Sequence, residues 1–508
     1  MSANDEATTV SRATPRHWLG LMLLMLPVLL VTIDNTILGF ALPKIAEALA
    51  PDARQQLWMI DAYSLVLAGL LVTMGGVGDR VGHRWLLLLG ASGFAVVSAL
   101  TALSSTPGQL IAGRALMGIF GAMLMPSTLA LIGTLFTDRE QRRFAVAVWA
   151  TCLTVGSALG PLMGGVLLQY FSWASIFLLA IPVLLPLLVC GPWLLPESPM
   201  EQVGNIDLPS VLLSVLALTG VVYAIKHLAG VGADGVMAMA LVIGAGAGFA
   251  FVRRQLRLSV PLLDLSLLRN GTFAGAIVVN LLSLALLVGF VFFATQSLQI
   301  VLGLEPLRAS LALVPGQALA IVVGMAIVPI AQRVPAYRLI PVLLGFAGVA
   351  FLLVAVAAGE VATLVAAFAL LNIGVGAIAS VSTDLVLNAA PPAKAGEASA
   401  ISETAYEVGV VFGTTVLGGV LAAGYRSALA VPANLEGEQA WLAGETLAGA
   451  HGVAAMAGEQ GSSLIAAANL AFNTATTQVS WLAVVLTALT MLMAWHVLKA
   501  GAHPKSAS

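Results

Sequence analysis

Five ionisable residues lie inside long apolar runs: Asp34, Asp61, Arg114, Glu403 and Glu407. A charge at the centre of a hydrocarbon layer costs about 2.5 to 3.5 kcal/mol on insertion scales, so each is a candidate for moving protons or meeting a cationic ligand. Glu403 and Glu407 are four apart and project from one helix face about a turn apart. Ionised together in low dielectric they repel, which suits a carboxyl that takes up and releases protons; a wet cavity or a fixed cation would also accommodate them. Arg114 cannot lose its proton and needs a carboxylate or several carbonyls, either as a structural counter-ion or as the charge that tunes an acid. Asp61 is nearer a span end, where facing the outer headgroups is the lesser alternative. Trp58, Met59, Tyr63, Met123, Met125, Trp149, Tyr406 and Phe412 fall on the same segments. Beside acids they suit a pocket for a lipophilic cation, through cation–π contact and adaptable methionine packing; elsewhere they are ordinary packing.

The elements that carry these residues follow from composition. Of 508 residues 59% are hydrophobic and 9% charged, where a soluble chain uses about a quarter. Mean hydropathy is +1.00. With 22 cations against 24 anions there is no basic surplus for nucleic acid. The chain reads as a polytopic membrane protein. Fourteen stretches near the roughly 20 residues that a bilayer requires can be drawn, at 18–41, 56–77, 86–104, 108–133, 144–168, 173–195, 208–228, 234–252, 272–298, 308–331, 338–358, 360–386, 396–424 and 478–498. The first, with Asp34 and Asn35 inside it, reads as a retained span rather than a signal peptide. With the N-terminus inside, sixteen of the 22 cations fall on the inner face and five on the outer (Lys44, Arg54, Lys226, Arg308, Arg426), leaving Arg114 in the membrane. That asymmetry predicts an even number of spans and both termini in the cytoplasm.

Cys152 and Cys190 are too few for a disulfide framework, the histidines lack metal-ligand spacing, and no lysine follows GxxxxG. The sequence therefore points to no metal, no cofactor and no ATP hydrolysis. The organisation predicted is a tail 1–17, a six-helix bundle 18–195, a linker 196–207, two helices 208–252, a linker 253–271, a second six-helix bundle 272–498 with an external loop 426–477, and a tail 499–508. The loop reads as a solvated, partly helical hairpin. Basic turns recur at Gly78-Asp79-Arg80-Val81-Gly82-His83-Arg84 and at 332–338, a faint repeat of the kind from which secondary transporters are built. Gly156, Gly160 and Gly164, with Pro161 and Gly165, line one face of the fifth span and let another helix approach closely.

Taken together these motifs resemble the major facilitator superfamily, in its fourteen-span drug:proton antiporter branch of the QacA, SmvA and LfrA type. The residues that carry the resemblance are 33–43 around Asp34, 58–65 around Asp61, the 78–84 turn, Arg114 with Gly118, the glycines of span five, 261–265, and 402–409 with Glu403 and Glu407. The resemblance implies an all-α major facilitator fold, two six-helix bundles plus two inserted helices, in a bacterial inner membrane. It implies a monomeric secondary transporter, not an enzyme, that exchanges protons for lipophilic cationic drugs such as quaternary ammonium compounds, antiseptics and ethidium-like dyes. By resemblance, Asp34, Asp61, Arg114, Glu403 and Glu407 serve proton coupling. Asp34, Trp58, Met59, Tyr63, Met123, Trp149, Tyr406, Glu407 and Phe412 serve substrate binding, and Gly78, Asp79, Arg80, Gly82, Arg84, Gly156, Gly160, Pro161 and Gly164 serve gating. The pattern departs at His83, where a cation is usual, and in span ten, where 311–330 holds no acid of the kind linked to divalent drugs. Export of a lipid or metabolite on the same fold stays open, as does uptake by symport, against which the span-five glycines argue.

Overall fold

The computed structural model describes residues 13–197, 207–258, 261, 263–357, 359–391, 395–430, 435, 437–456 and 461–502. The predicted tails and the linker 196–207 therefore lie largely outside the described residues. Inside a bilayer every backbone N–H and C=O must be satisfied within its own segment, so apolar runs of this length become helices. Among the described residues fourteen helices are long and apolar enough to cross: α1 Pro15–Leu49, α2 Ala53–Val81, α3 His83–Thr101, α4 Pro107–Leu135, α5 Glu140–Tyr170, α6 Ser175–Leu194, α7 Leu208–Leu228, α8 Gly235–Gln255, α9 Gly271–Val301, α10 Pro306–Ala326, α11 Ala336–Val356, α12 Val361–Val386, α13 Ala398–Ala428 and α14 Gly461–Ala500. Two of them change pitch to a π-turn, α9 at Ser297–Val301 and α13 at Thr414–Gly418.

Helices α1–α6 form one bundle and α9–α14 the other; α2 meets α13 and α5 meets α10 along the seam. Glycines set the closest approaches. A Cβ on Gly156 or Gly160 of α5 would lie 1.8 Å from Thr32 Oγ1 or Thr36 Oγ1 of α1, and one on Gly165 would lie 2.0 Å from Ser310 Oγ of α10. Thus α5 holds α1 within its bundle and α10 across the seam. The fifth-span glycines, expected to gate, are in this arrangement the docking face for α1.

Helices α7 and α8 form a hairpin whose backbones touch, a Cβ on Gly220 lying 2.7 Å from Gly244 Cα. The hairpin is latched at both ends. Arg254 grips Asp207 with Nη2 donating to Oδ1 at 2.8 Å and Nε to Oδ2 at 2.9 Å, and this hydrogen bonding holds the Asp207 carboxyl below its usual range. At the other end His227 Nε2 meets Asp234 Oδ2 at 2.9 Å. The hairpin rests on α2 and on the outer part of α13.

Helix α1 runs eight residues past its expected end, to Leu49, and two further boundaries change the reading of a turn and a loop. Helix α2 runs through Gly78, Asp79 and Arg80 to Val81, so the basic turn is mostly a last helical turn, and Gly82 (φ 93°) makes the bend. Gly78 is required by the fold of that turn, since a Cβ there would sit 2.3 Å from His83 Nδ1. His83 Nε2 meets Asp79 Oδ1 at 2.9 Å, and Arg84 bonds Glu197 and the Pro192 and Leu195 carbonyls, tying α3 to the end of α6 within one bundle. The external loop is also shorter than 426–477. Two short helices, Gly437–Glu445 and Leu447–Met456, lie between α13 and α14, and α14 starts at Gly461 rather than near 478. Alanine is the best helix former, and Leu464, Ala468, Ala471, Phe472 and Ala475 make an apolar stripe at helical spacing, buried against Leu447 and Val453. The hydropathy of that stretch hides a helix that its periodicity supports.

Overpacking the α1–α5 contact should cost about 1 to 3 kcal/mol. Gly160→Ala should lower the thermal unfolding midpoint in detergent by several degrees, and Thr36→Ala should partly restore it by removing the hydroxyl that the new methyl meets.

Candidate functional site

The glycine contacts decide which side chains meet. Gly118 and Gly121 bring α4 onto Tyr63 and Leu67 of α2, as the α5 glycines bring α1. Asp34, Tyr63 and Arg114 are thereby gathered from three helices of one bundle. Arg114 Nη1 donates to Asp34 Oδ2, and Nε donates to the Met59 carbonyl at 3.3 Å. The guanidinium carbon lies 4.5 Å from the centroid of the Tyr63 ring, which meets Phe94 edge-on. Arg114 and Asp34 are 1% and 7% exposed. Breaking such a pair is far costlier than forming it is favourable, because the survivor is left as an uncompensated buried charge.

The next residue along α1 reaches the other bundle. Asn35 Nδ2 donates to Glu407 Oε1 at 3.0 Å, and Ser64 Oγ donates to Asn35 Oδ1 at 3.4 Å. Glu407 Oε2 is buried without a hydrogen-bond partner. Glu403 is half-buried one turn toward the inner end of α13. Tyr406, also half-buried, places its hydroxyl beside Ser157 of α5.

A second cluster lies closer to the outer face. Asp61 is fully buried; Thr414 bonds Oδ1, and Thr415 Oγ1 donates to Oδ2 at 3.0 Å. Lys226 Nζ is 2.7 Å from the same Oδ2 and 4.0 Å from the Trp58 ring centroid. This corrects the counting of Lys226 among the cations of the outer face: it lies within α7, turned inward, and is 1% exposed. Asp61 accordingly faces protein rather than headgroups. The sequence signal was a lone cation within the apolar run of α7, flanked by Tyr223 and His227.

Other expected pocket residues are elsewhere. The Met123 side chain faces Gly90 of α3. Trp149 Nε1 donates to Thr128 Oγ1 at 3.0 Å inside the first bundle. Phe412 borders a small space with Leu282, Leu286 and Leu486, away from the acids. Met125 is buried in the core of its bundle. Met59 contributes its carbonyl to Arg114 while its side chain is fully buried. Tyr63 and Trp58 do stand beside the acids, each over a resident cation.

Comparison with known proteins places this geometry in context. Residues 24–414 match the Major Facilitator Superfamily. The chain is 49% identical over 458 residues, 90% of its length and 91% of the relative's, to the multidrug efflux pump LfrA of Mycolicibacterium smegmatis. It is 32% identical, covering 90% of this chain and 93% of the other, to the methyl viologen resistance protein SmvA of Salmonella typhimurium. It is 30% identical, over 82% and 78% of the two chains, to the tetracenomycin C resistance and export protein of Streptomyces glaucescens. Among solved structures, the inward-facing, unoccupied form of a bacterial homologue of the human lysosomal transporter Spinster matches with a TM-score of 0.66 at 16% identity, covering 96% of this chain and 99% of that one.

The buried pair sets a stability test. Arg114→Leu should destabilise the protein by about 3 to 5 kcal/mol, and the double variant Arg114→Leu/Asp34→Leu by much less. Thermal unfolding of the four proteins of this cycle in one detergent measures the difference.

Proposed function

The chain belongs to the Major Facilitator Superfamily, and from that footing we propose that it exports lipophilic monovalent cations across the bacterial inner membrane in exchange for protons. Its membership and its fourteen spans make it a multi-pass transporter. The efflux and resistance for which its relatives are named support the direction of transport. The observation that carries the exchange is the bare Oε2 of Glu407, at the seam of the two bundles and opposite Asn35.

An acceptor oxygen buried without a partner costs about 1 to 3 kcal/mol. Two ligands remove that cost, a proton or the cationic head of a substrate. Since one carboxylate cannot satisfy both, uptake of the proton releases the cation and loss of the proton readmits it. Asp34 and Asp61 already hold cations and are poorer candidates for this competition. In this reading Glu407 is the coupling acid, Glu403 extends the proton path toward the inner face, and the Asp34–Arg114 pair fixes α1 so that Asn35 can grip Glu407. Tyr406 offers aromatic surface to the substrate, while Tyr63 backs the resident Arg114. Bundles 18–195 and 272–498 are the bodies that move, and one copy of the chain suffices.

One proton exchanged for one monocation is electroneutral and yields about 1.4 kcal/mol per pH unit. Ethidium efflux from proteoliposomes under an imposed pH gradient tests the assignment. Wild type should transport, and Glu407→Gln should lose at least tenfold in gradient-driven rate. Unchanged transport in Glu407→Gln would remove that residue from the mechanism. A folded wild type that moves no ethidium under any gradient would instead bring export of a lipid or metabolite forward.

A further inference from the structure

The ion pair between α7 and α2 has the composition of a ligand site. The ammonium of Lys226 is held between the Trp58 ring, 4.0 Å from its centroid, and the Asp61 carboxylate at 2.7 Å. An aromatic face with an adjoining carboxylate is how proteins recognise ammonium-type cations generally. The Thr414 and Thr415 hydroxyls occupy further acceptor positions on Asp61 and would remain if the ammonium left. The cation that fills this site is part of the chain.

Its placement argues against a purely static pair. Trp58 and Asp61 belong to α2 in one bundle, Thr414 and Thr415 to α13 in the other, and Lys226 to a helix of neither. The two threonines open a π-turn, a distortion frequent at functional positions. Asp61 stands eight residues into α2, about 12 Å from its outer end. Nearby in the same half of the seam, a Cβ on Gly418 would press to 2.7 Å from Leu57. Parting the bundles at that end must separate α2 from α13 where these groups join them. Helix α7 straddles the joint, with Val222 packed between Leu65 of α2 and Val411 of α13.

We propose that Trp58, Asp61, Thr414 and Thr415 form a second cation site, specific for alkylammonium head groups, in which Lys226 is a tethered occupant that keeps the outer half of the seam closed. Removing the tether opens the seam and vacates the site for a diffusible ammonium ion. This goes beyond the exchange at Glu407, and its test uses labelling and unfolding measurements without a gradient, so neither result depends on the other.

The test uses full-length protein with Cys152→Ala and Cys190→Ala, carrying Leu57→Cys as a reporter in the closed seam. Labelling by a membrane-impermeant maleimide should be slow in this parent and with Lys226→Arg, and at least fivefold faster with Lys226→Ala. Adding n-butylammonium should slow labelling of Lys226→Ala toward the parental rate and raise its unfolding temperature, with no effect on the parent. Both responses should vanish in Lys226→Ala/Asp61→Asn, which carries no orphaned charge and should fold and label rapidly. If Lys226→Ala fails to fold, the double variant decides: rapid labelling supports the tether and parental labelling overturns it. Equal labelling of folded Lys226→Ala and the parent, or n-butylammonium protection that survives Asp61→Asn, would also overturn it.

Discussion

Charge buried at bilayer depth must find its partner inside the protein, and the arrangement of this transporter's centre follows from that constraint. Two cations are buried among the described helices beside two acids: Arg114 discharges Asp34, and Lys226 discharges Asp61. Each pair draws its members from different helices, so each also fixes a helix position. The other two intramembrane acids singled out by the sequence are on α13, where Glu407 meets the neutral donors Asn35 and Ser64 from across the seam. Pairing thus leaves the acid without a cationic partner, Glu407, on the opposite bundle from Asp34 and Asp61.

The pairs could not form without the close helix approaches beneath them. Thr32 and Thr36 return their hydroxyls to carbonyls of their own helix, Thr32 to Val28 at 2.9 Å and Thr36 to Thr32 at 3.1 Å. That leaves compact, satisfied surfaces for the α5 glycines to meet. In the second bundle Gly409 and Gly413 serve the same purpose, where Cβ atoms would lie 2.7 and 2.3 Å from the Leu281 and Ala285 carbonyls of α9. Small residues therefore determine the rotation of α1 and of α13, and with it the direction in which Asn35 and Glu407 face. With no hydrophobic drive between helices in lipid, such packing is a main source of specificity.

The sequence made the spans legible because a bilayer demands a length and an apolarity that few other environments require. It made the buried acids legible for the complementary reason, that such residues are rare there. What it obscured was partnership. Lys226 sits near the end of an apolar run, and position along the chain cannot distinguish a cation that reaches outward from one that turns in toward Asp61. Met123, Trp149 and Phe412 share helices with the acids, but helix rotation, set by glycine contacts with neighbours far along the chain, turns them elsewhere. The start of α14 was hidden because alanine contributes little hydropathy while strongly favouring helix.

The two pairs bear on how much energy an exchange cycle could draw. Were Asp34 and Asp61 to titrate along with Glu407, several protons could accompany each cation, and every charge beyond electroneutrality would gain about 2.3 kcal/mol per 100 mV of membrane potential. Held by Arg114 and Lys226, those two carboxylates already have their counter-charge, and protonating either would leave its cation buried and unpaired. On the proposed function, an exchange confined to the acids of α13 would then be driven chiefly by the pH difference when one proton moves per monocation. Additional drive would require Glu403 to join Glu407, and one helical turn is near enough for the charge left by a proton's departure from one to oppose a proton's departure from the other. On the proposed exchange, the separation of resident pairs from the acids of α13 would also separate what holds the transporter in shape from what its substrates compete for.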